Sequence, residues 1–401
     1  MNCYDDLVYR GLIKDITNNE DFKEKLNNGG MTFYIGTDPT ADSLHLGHLS
    51  SFLICERLAR FGHHPIVLVG GATGLIGDPR PTKEREMQDT SIIFKNVEGI
   101  KNQLNKYFPH CKMVNNYDWL KDMSFIDFLR DIGKYFNVPY MLNKDIVKRR
   151  LTEGISYTEF SYQLMQAYDF MYLYEHENCV MEVAGQDQWG NITSGIDLIR
   201  KKLGKEAYAF TMPLVTTKSG VKFGKSEGNA LWLDKDKTSS YDMYQYLVNS
   251  EDEMVISYLK VFTFLSKEEI DKLEVSLKEE PEKRLAAKTL AYEVVKFLHG
   301  KEEADKVKDM SEEIFASGGI SGNVETIEVN SELNVSIVDF LMLTEMFPSK
   351  SEARRMVEQN AISINGEKIN DPKTVIDQSF VKDGGILVQK GKKQFKKIII
   401  K

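Results

Sequence analysis

The sequence predicts an α/β protein: a parallel-sheet domain, then an all-helical region, then a small α+β module. Three observations carry this. Residues 31–36 (MTFYIG) are a short apolar run between glycines; LGHLSSFLICERLARFG then spaces Leu46, Leu49, Leu53, Ile54 and Leu58 as an amphipathic helix does; and HPIVLVGGATG is a continuous apolar run ending in glycines. Strand, helix and buried strand in that order is the pattern of a parallel crossover. From about 238 to 316 a helical period with dense Glu and Lys faces takes over. The last part mixes two short helical stretches with a hairpin signal, Asn365-Gly366.

The other elements follow in order. Residues 91–175 read as mostly helical, with Pro109 and Pro139 as breaks. CVMEVAG, 179–185, reads as another buried strand, and the stretch after GQDQWGN as a helix ended by Gly204. Residues 207–217 read as a last strand, followed by the loop KSGVKFGKSEGN. SGGISGNVE, 317–325, has the composition of a linker. Helices are expected at 335–347 and 349–360, the second opened by a capping box of Ser349 and Glu352, and GILVQKG as a strand. The resulting division is 1–222, 223–320 and 331–401.

A chain of 401 residues exceeds one core, so two or three domains are expected. No apolar run approaches the ~18 residues of a membrane span, and Met1 to Arg10 lack the basic-then-apolar order of a signal peptide. Cys3, Cys55, Cys111 and Cys179 stand far apart with no C-x-x-C pair, which argues against a disulfide framework and fits a reducing, cytoplasmic setting. The net charge of -8 hides an asymmetry: residues 331–401 carry +3, the rest -11. On charge alone the lysine-rich end reads as solvated.

Three constellations bear on chemistry. His45-Leu46-Gly47-His48 follows a strand and opens a helix, where unpaired N–H groups favour phosphate, and imidazoles three apart share one face. Gly47 is expected to leave room for a base or ribose. Gly70 to Asp78 is glycine-rich but lacks G-x-G-x-x-G spacing, so no nicotinamide cofactor is expected. Lys222-Phe223-Gly224-Lys225-Ser226 puts two lysines three apart in a glycine-rich loop, a cationic clamp for a polyphosphate. Taken singly, each has an ordinary alternative: surface histidines, a turn, a solvated loop.

The combination of H-x-G-H with K-x-x-K-S after the last strand resembles the class I aminoacyl-tRNA synthetases. The stretch from Tyr34 to His48 (YIGTDPTADSLHLGH) is similar, almost residue for residue, to the tyrosyl-tRNA synthetases of bacteria. So are YTEFSY at 157–162, QAYD at 166–169 and DQWGN at 187–191, and the resemblance spans the whole chain. It implies a Rossmann-like catalytic domain with a helical insertion, a helical anticodon-side domain and an RNA-binding end. The implied activity is tyrosine–tRNA ligation: tyrosine and ATP give tyrosyl-adenylate and pyrophosphate, and tyrosyl passes to the 3′ end of tRNA(Tyr).

By this resemblance Tyr34 and Asp169 would bind the phenol, and Tyr162, Gln166 and Asp78 the ammonium. Tyr162, Gln166 and Asp169, at i, i+4 and i+7, would share one helix face. Phenylalanine would then leave Asp169 buried without a partner. Gln188 would approach the tyrosine carboxylate, and Gly36, Asp38, Gly185 and Asp187 would line the adenylate. Thr40, His45, Lys222 and Lys225, with Ser226, would gather on the phosphates, His48, Gly47 and Ser51 nearer the nucleoside, and Lys83 and Arg85 on pyrophosphate. Glu182 departs from the family, which more often has Gln there.

Lys148, Arg149, Arg150, Arg354 and Arg355 are candidate tRNA contacts. ATP would come with Mg2+ as a substrate complex, with no tightly bound cofactor and no protein metal site. The family is homodimeric, and the apolar stretch 125–142 is either that interface or internal core. The competing readings are a tryptophanyl enzyme, which has no use for a Tyr34–Asp169 pair, an adenylyltransferase without tRNA, and an RNA-binding scaffold that has lost catalysis.

Overall fold

The computed structural model describes residues 1–79, 87–152, 154–226, 229–316, 325–329, 333–381, 385–391 and 394–400. It divides into two compact units, Met1–Ala304 and Asp305–Lys401. The sheet and the helices from Ser240 to His299 thus lie in one unit, and the unit boundary falls within the helix Lys301–Ala316.

The first unit is organised by five parallel strands: β1 (Thr32–Thr37), β2 (His64–Val69), β3 (Lys112–Asn115), β4 (Cys179–Gly185) and β5 (Tyr208–Met212), in the order β3-β2-β1-β4-β5. The strands β1, β2 and β4 are the apolar runs the sequence shows, buried because helices cover both faces. The helix Leu46–Arg60 makes the crossover from β1 to β2. Chain direction across the sheet reverses between β1 and β4, and at such a switch point the carboxyl ends of strands leave a crevice for a ligand.

Three expectations need refinement. The stretch 91–175 is mostly helical as expected, but β3 lies inside it as an edge strand. Four residues, KMVN, are too short and too polar to stand out by periodicity. Pro139 does not break a helix; it sits in the first turn of Val138–Leu142, where its missing N–H costs nothing. The strand expected at 207–217 ends at Met212, because Pro213 cannot donate to a ladder.

Asn178 and Gly204, both left-handed, end the helices Tyr157–Glu177 and Trp189–Leu203. A buried cluster ties the first helix to the helical region: Asp6 accepts from Arg10 at 2.8 Å and from Arg57 at 3.4 Å. Both guanidiniums also donate to the Thr263 carbonyl. Each charge is therefore paired and hydrogen-bonded, as burial demands.

The second unit has a five-stranded sheet in the order Glu367–Ile369, Ile362–Ile364, Ile386–Lys390, Gln394–Ile400, Glu325–Val329. Its core includes Ile337, Phe340, Leu341, Ile362 and Ile398. Asn365 and Gly366 turn the hairpin with φ of 51° and 84°, as the sequence implies. The two helices, Ile337–Met342 and Lys350–Glu358, are shorter than expected. Ser349 accepts from the Glu352 N–H, one half of the expected box. The lysine-rich end is no solvated tail: Gln394–Ile400 is paired on both sides, antiparallel to Ile386–Lys390 and parallel to Glu325–Val329. The linker expected at 317–325 falls, but for its last residue, outside the described residues.

Candidate active site

A cavity of about 230 Å3 opens at the switch point, lined by Tyr34, Gly36, Asp38, Thr40, His48, Asp78, Tyr162, Gln166, Asp169, Asp187 and Gln188 among others. These come from separate parts of the sequence. The loop after β1 supplies Asp38 and Thr40, the helix Tyr157–Glu177 supplies Tyr162, Gln166 and Asp169 on one face, and the turn after β4 supplies Asp187 and Gln188.

Asp169 is 2% exposed. Its two oxygens accept from Trp119 Nε1 at 2.8 Å and Asn116 Nδ2 at 2.9 Å. Burial pushes its carboxyl up to about 8, against the pull of those two donors and with the push of Glu182 and Asp38. The expectation that a ligand without a hydroxyl leaves Asp169 unpartnered is therefore corrected, since Asn116 and Trp119 bond it in any case. The exposed deficit lies at Tyr34, whose hydroxyl is buried with no hydrogen-bond partner of acceptable geometry. A ligand hydroxyl placed between Tyr34 and Asp169 repairs that deficit.

From Asn116 a chain of hydrogen bonds runs across the cavity. Asn116 donates to Thr73 Oγ1 at 2.9 Å, Thr73 donates to Asp38 at 2.8 Å, and Tyr162 Oη donates to the other Asp38 oxygen at 3.0 Å. A second network fixes the middle of the cavity. Gln188 donates to Asp78 at 2.9 Å, and Asn191 reaches Gln166 Oε1 at 2.9 Å and Asp78 at 3.3 Å. Gln166 Nε2 in turn donates to Glu182 Oε1 at 2.9 Å. Asp38 and Asp78 give this middle region its negative charge, suited to a cation such as an ammonium.

His45 and His48 stack at 3.8 Å at the start of the helix Leu46–Arg60. Each uses Nδ1 as an acceptor, His45 from the Gly47 N–H at 3.1 Å and His48 from the His45 N–H at 3.4 Å. The pair is an imidazole version of a capping box, and it leaves the proton of a neutral ring on Nε2. Burial, His45 and Lys222 push His48 down to about 3, so it is neutral.

Gly47 does not leave room for a ligand as expected: a Cβ there would meet the His45 ring at 3.0 Å and the Phe223 carbonyl at 3.3 Å. Gly224, with φ +89°, would in turn strike Gly47 N. The two glycines allow the lysine loop to dock on the histidine turn, held by Leu46 N–H to Leu231 O at 2.8 Å and Leu231 N–H to Gly224 O at 3.0 Å. Lys222 is exposed beside this turn. The backbone of Lys225 and Ser226 forms a two-residue strand paired with Asn229–Ala230. Ser51 and Gly185 lie outside the cavity lining, and Lys83 and Arg85 lie outside the described residues.

Of the basic candidates, Lys148, Arg149, Arg354 and Arg355 are exposed. Arg150 is corrected: it is 3% exposed and donates to both Glu159 oxygens, at 2.8 and 3.3 Å, so it holds the helical insertion together rather than meeting phosphate. Asn116, Trp119, Thr73 and Asn191 were not singled out by sequence reasoning. Position after a strand, at the carboxyl edge, is the one signal that could have found Asn116.

With this geometry in hand, comparison with known proteins is direct. Residues 26–316 match the family model of "tRNA synthetases class I (W and Y)". Residues 317–398 match that of the "Tyrosine--tRNA ligase SYY-like C-terminal domain". The tyrosine–tRNA ligase of Listeria innocua is 46% identical over 98% of this chain and 99% of that protein. The chain belongs to the tyrosine–tRNA ligases. That of Streptococcus uberis is 45% identical over the same shares. Among solved structures, a C-terminally truncated mitochondrial tyrosyl-tRNA synthetase of Aspergillus nidulans is 34% identical, with a TM-score of 0.71 over 78% of this chain and 94% of that one. The chain is thus an enzyme of the class I aminoacyl-tRNA synthetases, as its motifs imply, and no described helix is long and apolar enough to cross a membrane.

The corrected role of Arg150 is testable. Arg150→Ala leaves Glu159 buried without its partner and should cost about 3 kcal/mol or more of stability, read by denaturant unfolding. Arg149→Ala, at an exposed site, should leave unfolding within about 0.5 kcal/mol of the parent.

Proposed function

We propose that the cavity binds L-tyrosine with its phenol between Tyr34 and Asp169 and its ammonium among Tyr162, Gln166 and Asp78. The observation that carries this is the buried Tyr34 hydroxyl, which has no hydrogen bond of acceptable geometry and lies beside the Glu182 carboxyl, at the same end as the buried Asp169. Gln188 approaches the tyrosine carboxylate. Among the family's two amino acids an indole offers no hydroxyl to this end, which favours tyrosine.

ATP binds across the carboxyl edge of the sheet, with Gly36, Asp38, Gly185 and Asp187 along the nucleoside and Thr40, His45, Lys222, Lys225 and Ser226 at the phosphates. His48, Gly47 and Ser51 shape the floor beneath, and Lys83 and Arg85 meet pyrophosphate. Mg2+ enters with the nucleotide, held mainly by phosphate oxygens.

The chemistry follows from what surrounds the reacting atoms. The tyrosine carboxylate attacks the α-phosphorus, and the bond to the β-phosphate oxygen breaks. Charge builds on pyrophosphate, where the lysines and the Nε2–H groups of His45 and His48 stabilise it. A neutral His48 donates without repelling Lys222. The remaining contribution is alignment of carboxylate and phosphate in one crevice. The adenylate is then attacked by a ribose hydroxyl at the 3′ end of tRNA(Tyr), and AMP leaves.

For the tRNA, Lys148 and Arg149 in the first unit and Arg354 and Arg355 in the second offer phosphate contacts. Residues 1–222 serve activation, 223–320 the anticodon side and 331–401 RNA binding. The chain works as a cytoplasmic homodimer. Supporting this, Phe125 and Ile126 in the apolar stretch are 67% and 73% exposed, while Ile132 and Met141 in the same stretch are buried core.

Exchange of pyrophosphate into ATP should depend on tyrosine. Absence of exchange, or equal exchange with phenylalanine, would defeat the proposal. Lys225→Ala should slow adenylate formation by about 100-fold while tyrosine affinity changes less than about threefold, measured by single-turnover kinetics and equilibrium dialysis. A collapse of tyrosine affinity would remove Lys225 from the phosphates.

A further inference from the structure

Residues 215–223 form a hairpin that carries the first lysine of the loop. Phe223 N–H donates to the Val215 carbonyl at 3.0 Å, Thr217 N–H to that of Val221 at 2.8 Å, and Gly220 turns the tip with φ +80°. The hairpin stands on the helices Ser240–Val248 and Asp252–Phe262. Phe223 is buried among Tyr246, Tyr258 and Phe262, with ring centres 4.1 to 5.3 Å from its own. Tyr258 Oη donates to the Thr216 carbonyl at 2.9 Å, and Glu251 accepts the Lys218 N–H at the tip, also at 2.9 Å. Tyr246 Oη accepts the Gly224 N–H at 3.1 Å. Resting on the reading that the lysine loop meets phosphate, we propose that Tyr246 is a positioning residue for adenylate formation: its hydroxyl, aided by Tyr258, holds the backbone at Gly224 and so sets where Lys222 and Lys225 present their charge.

Gly224 stands between the two lysines, and both of its backbone groups are taken. Its N–H goes to Tyr246, and its carbonyl accepts from Leu231 N–H at 3.0 Å. Its φ is +89°, and a Cβ on it would come within 2.8 Å of Gly47 N. The peptide is therefore held by the helical region on one side and packed on the histidine turn on the other. Tyr246 lies outside the lining of the cavity, so it reaches the reaction through this hold alone.

Lysine side chains are long and flexible, and what a fold can fix is the backbone that carries them. Stabilising charge at a transition state depends on such fixing, since a displacement of about 1 Å can cost about 100-fold in rate. Without the Tyr246 hydroxyl the buried Gly224 N–H has lost its acceptor. It regains one from water by moving off the histidine turn, and the lysines move with it. The aromatic ring does not supply this hold. A phenylalanine at 246 would still pack on Phe223 and would offer no acceptor.

The test is a double-mutant cycle on the full chain, with adenylate formation followed by single-turnover kinetics and tyrosine affinity by equilibrium dialysis. Tyr246→Phe should slow adenylate formation about tenfold, one hydrogen bond's worth, with tyrosine affinity changed less than about threefold. In a Lys225→Ala background the same change should cost less than about threefold, because the hydroxyl acts through the lysine. Parental speed in Tyr246→Phe overturns the proposal and leaves the phosphate reading of the loop intact. So does a full tenfold loss on top of that of Lys225→Ala, because the hydroxyl then acts by another route, and so does an equal loss of tyrosine affinity, the mark of a general disturbance. If Tyr246→Phe does not fold, Tyr258→Phe takes its place in the cycle with the same outcomes. Parental speed in Lys225→Ala alone refutes the phosphate reading itself, and the proposal falls with it.

Discussion

A carboxylate buried at the carboxyl edge of a parallel sheet is the constraint around which this site is arranged. Asp169 has lost water, which pushes its carboxyl up to about 8, and a buried polar group persists only with hydrogen-bond partners around it. Trp119 and Asn116 provide them. Asn116 follows β3 directly, so the edge strand of the sheet is also the support of the innermost side chain of the cavity. The same asparagine carries the network on through Thr73 to Asp38 and Tyr162. One chain of polar contacts therefore links the closed end of the cavity to the carboxyl edge where we place the nucleotide.

The other half of the site depends on backbone rather than charge. The histidine turn and the lysine loop meet through two glycines whose Cβ atoms would collide. The imidazoles are held by their own capping bonds, which fixes both rings before any ligand arrives. Positions set in advance are what a reaction without a protein nucleophile requires, since the enzyme's contribution is alignment and stabilisation of charge.

Much of this was legible in the sequence. Continuous apolar runs marked β1, β2 and β4, and the spacing of Tyr162, Gln166 and Asp169, residues picked out by the family resemblance, placed them on one helix face. What escaped notice had physical reasons. The strand β3 is an edge of four mixed residues, and the support of Asp169 comes from it, so both were missed together. Arg150 looked like its neighbours in a basic run, but helix geometry turned it inward to Glu159 while Lys148 and Arg149 stayed outside. The lysines of 394–400 suggested a solvated tail, yet Ile398 in their midst is buried and the segment is an inner strand. In each case the local pattern was correct and tertiary context decided which face it served.

The account stands on where the phenol goes. A structure of the protein with L-tyrosine bound tests this most directly. It should show the phenol oxygen within hydrogen-bonding distance of both Tyr34 Oη and an Asp169 oxygen, with the ammonium among Tyr162, Gln166 and Asp78. A tyrosine whose ring points toward the histidine turn, or whose phenol reaches neither group, would contradict it.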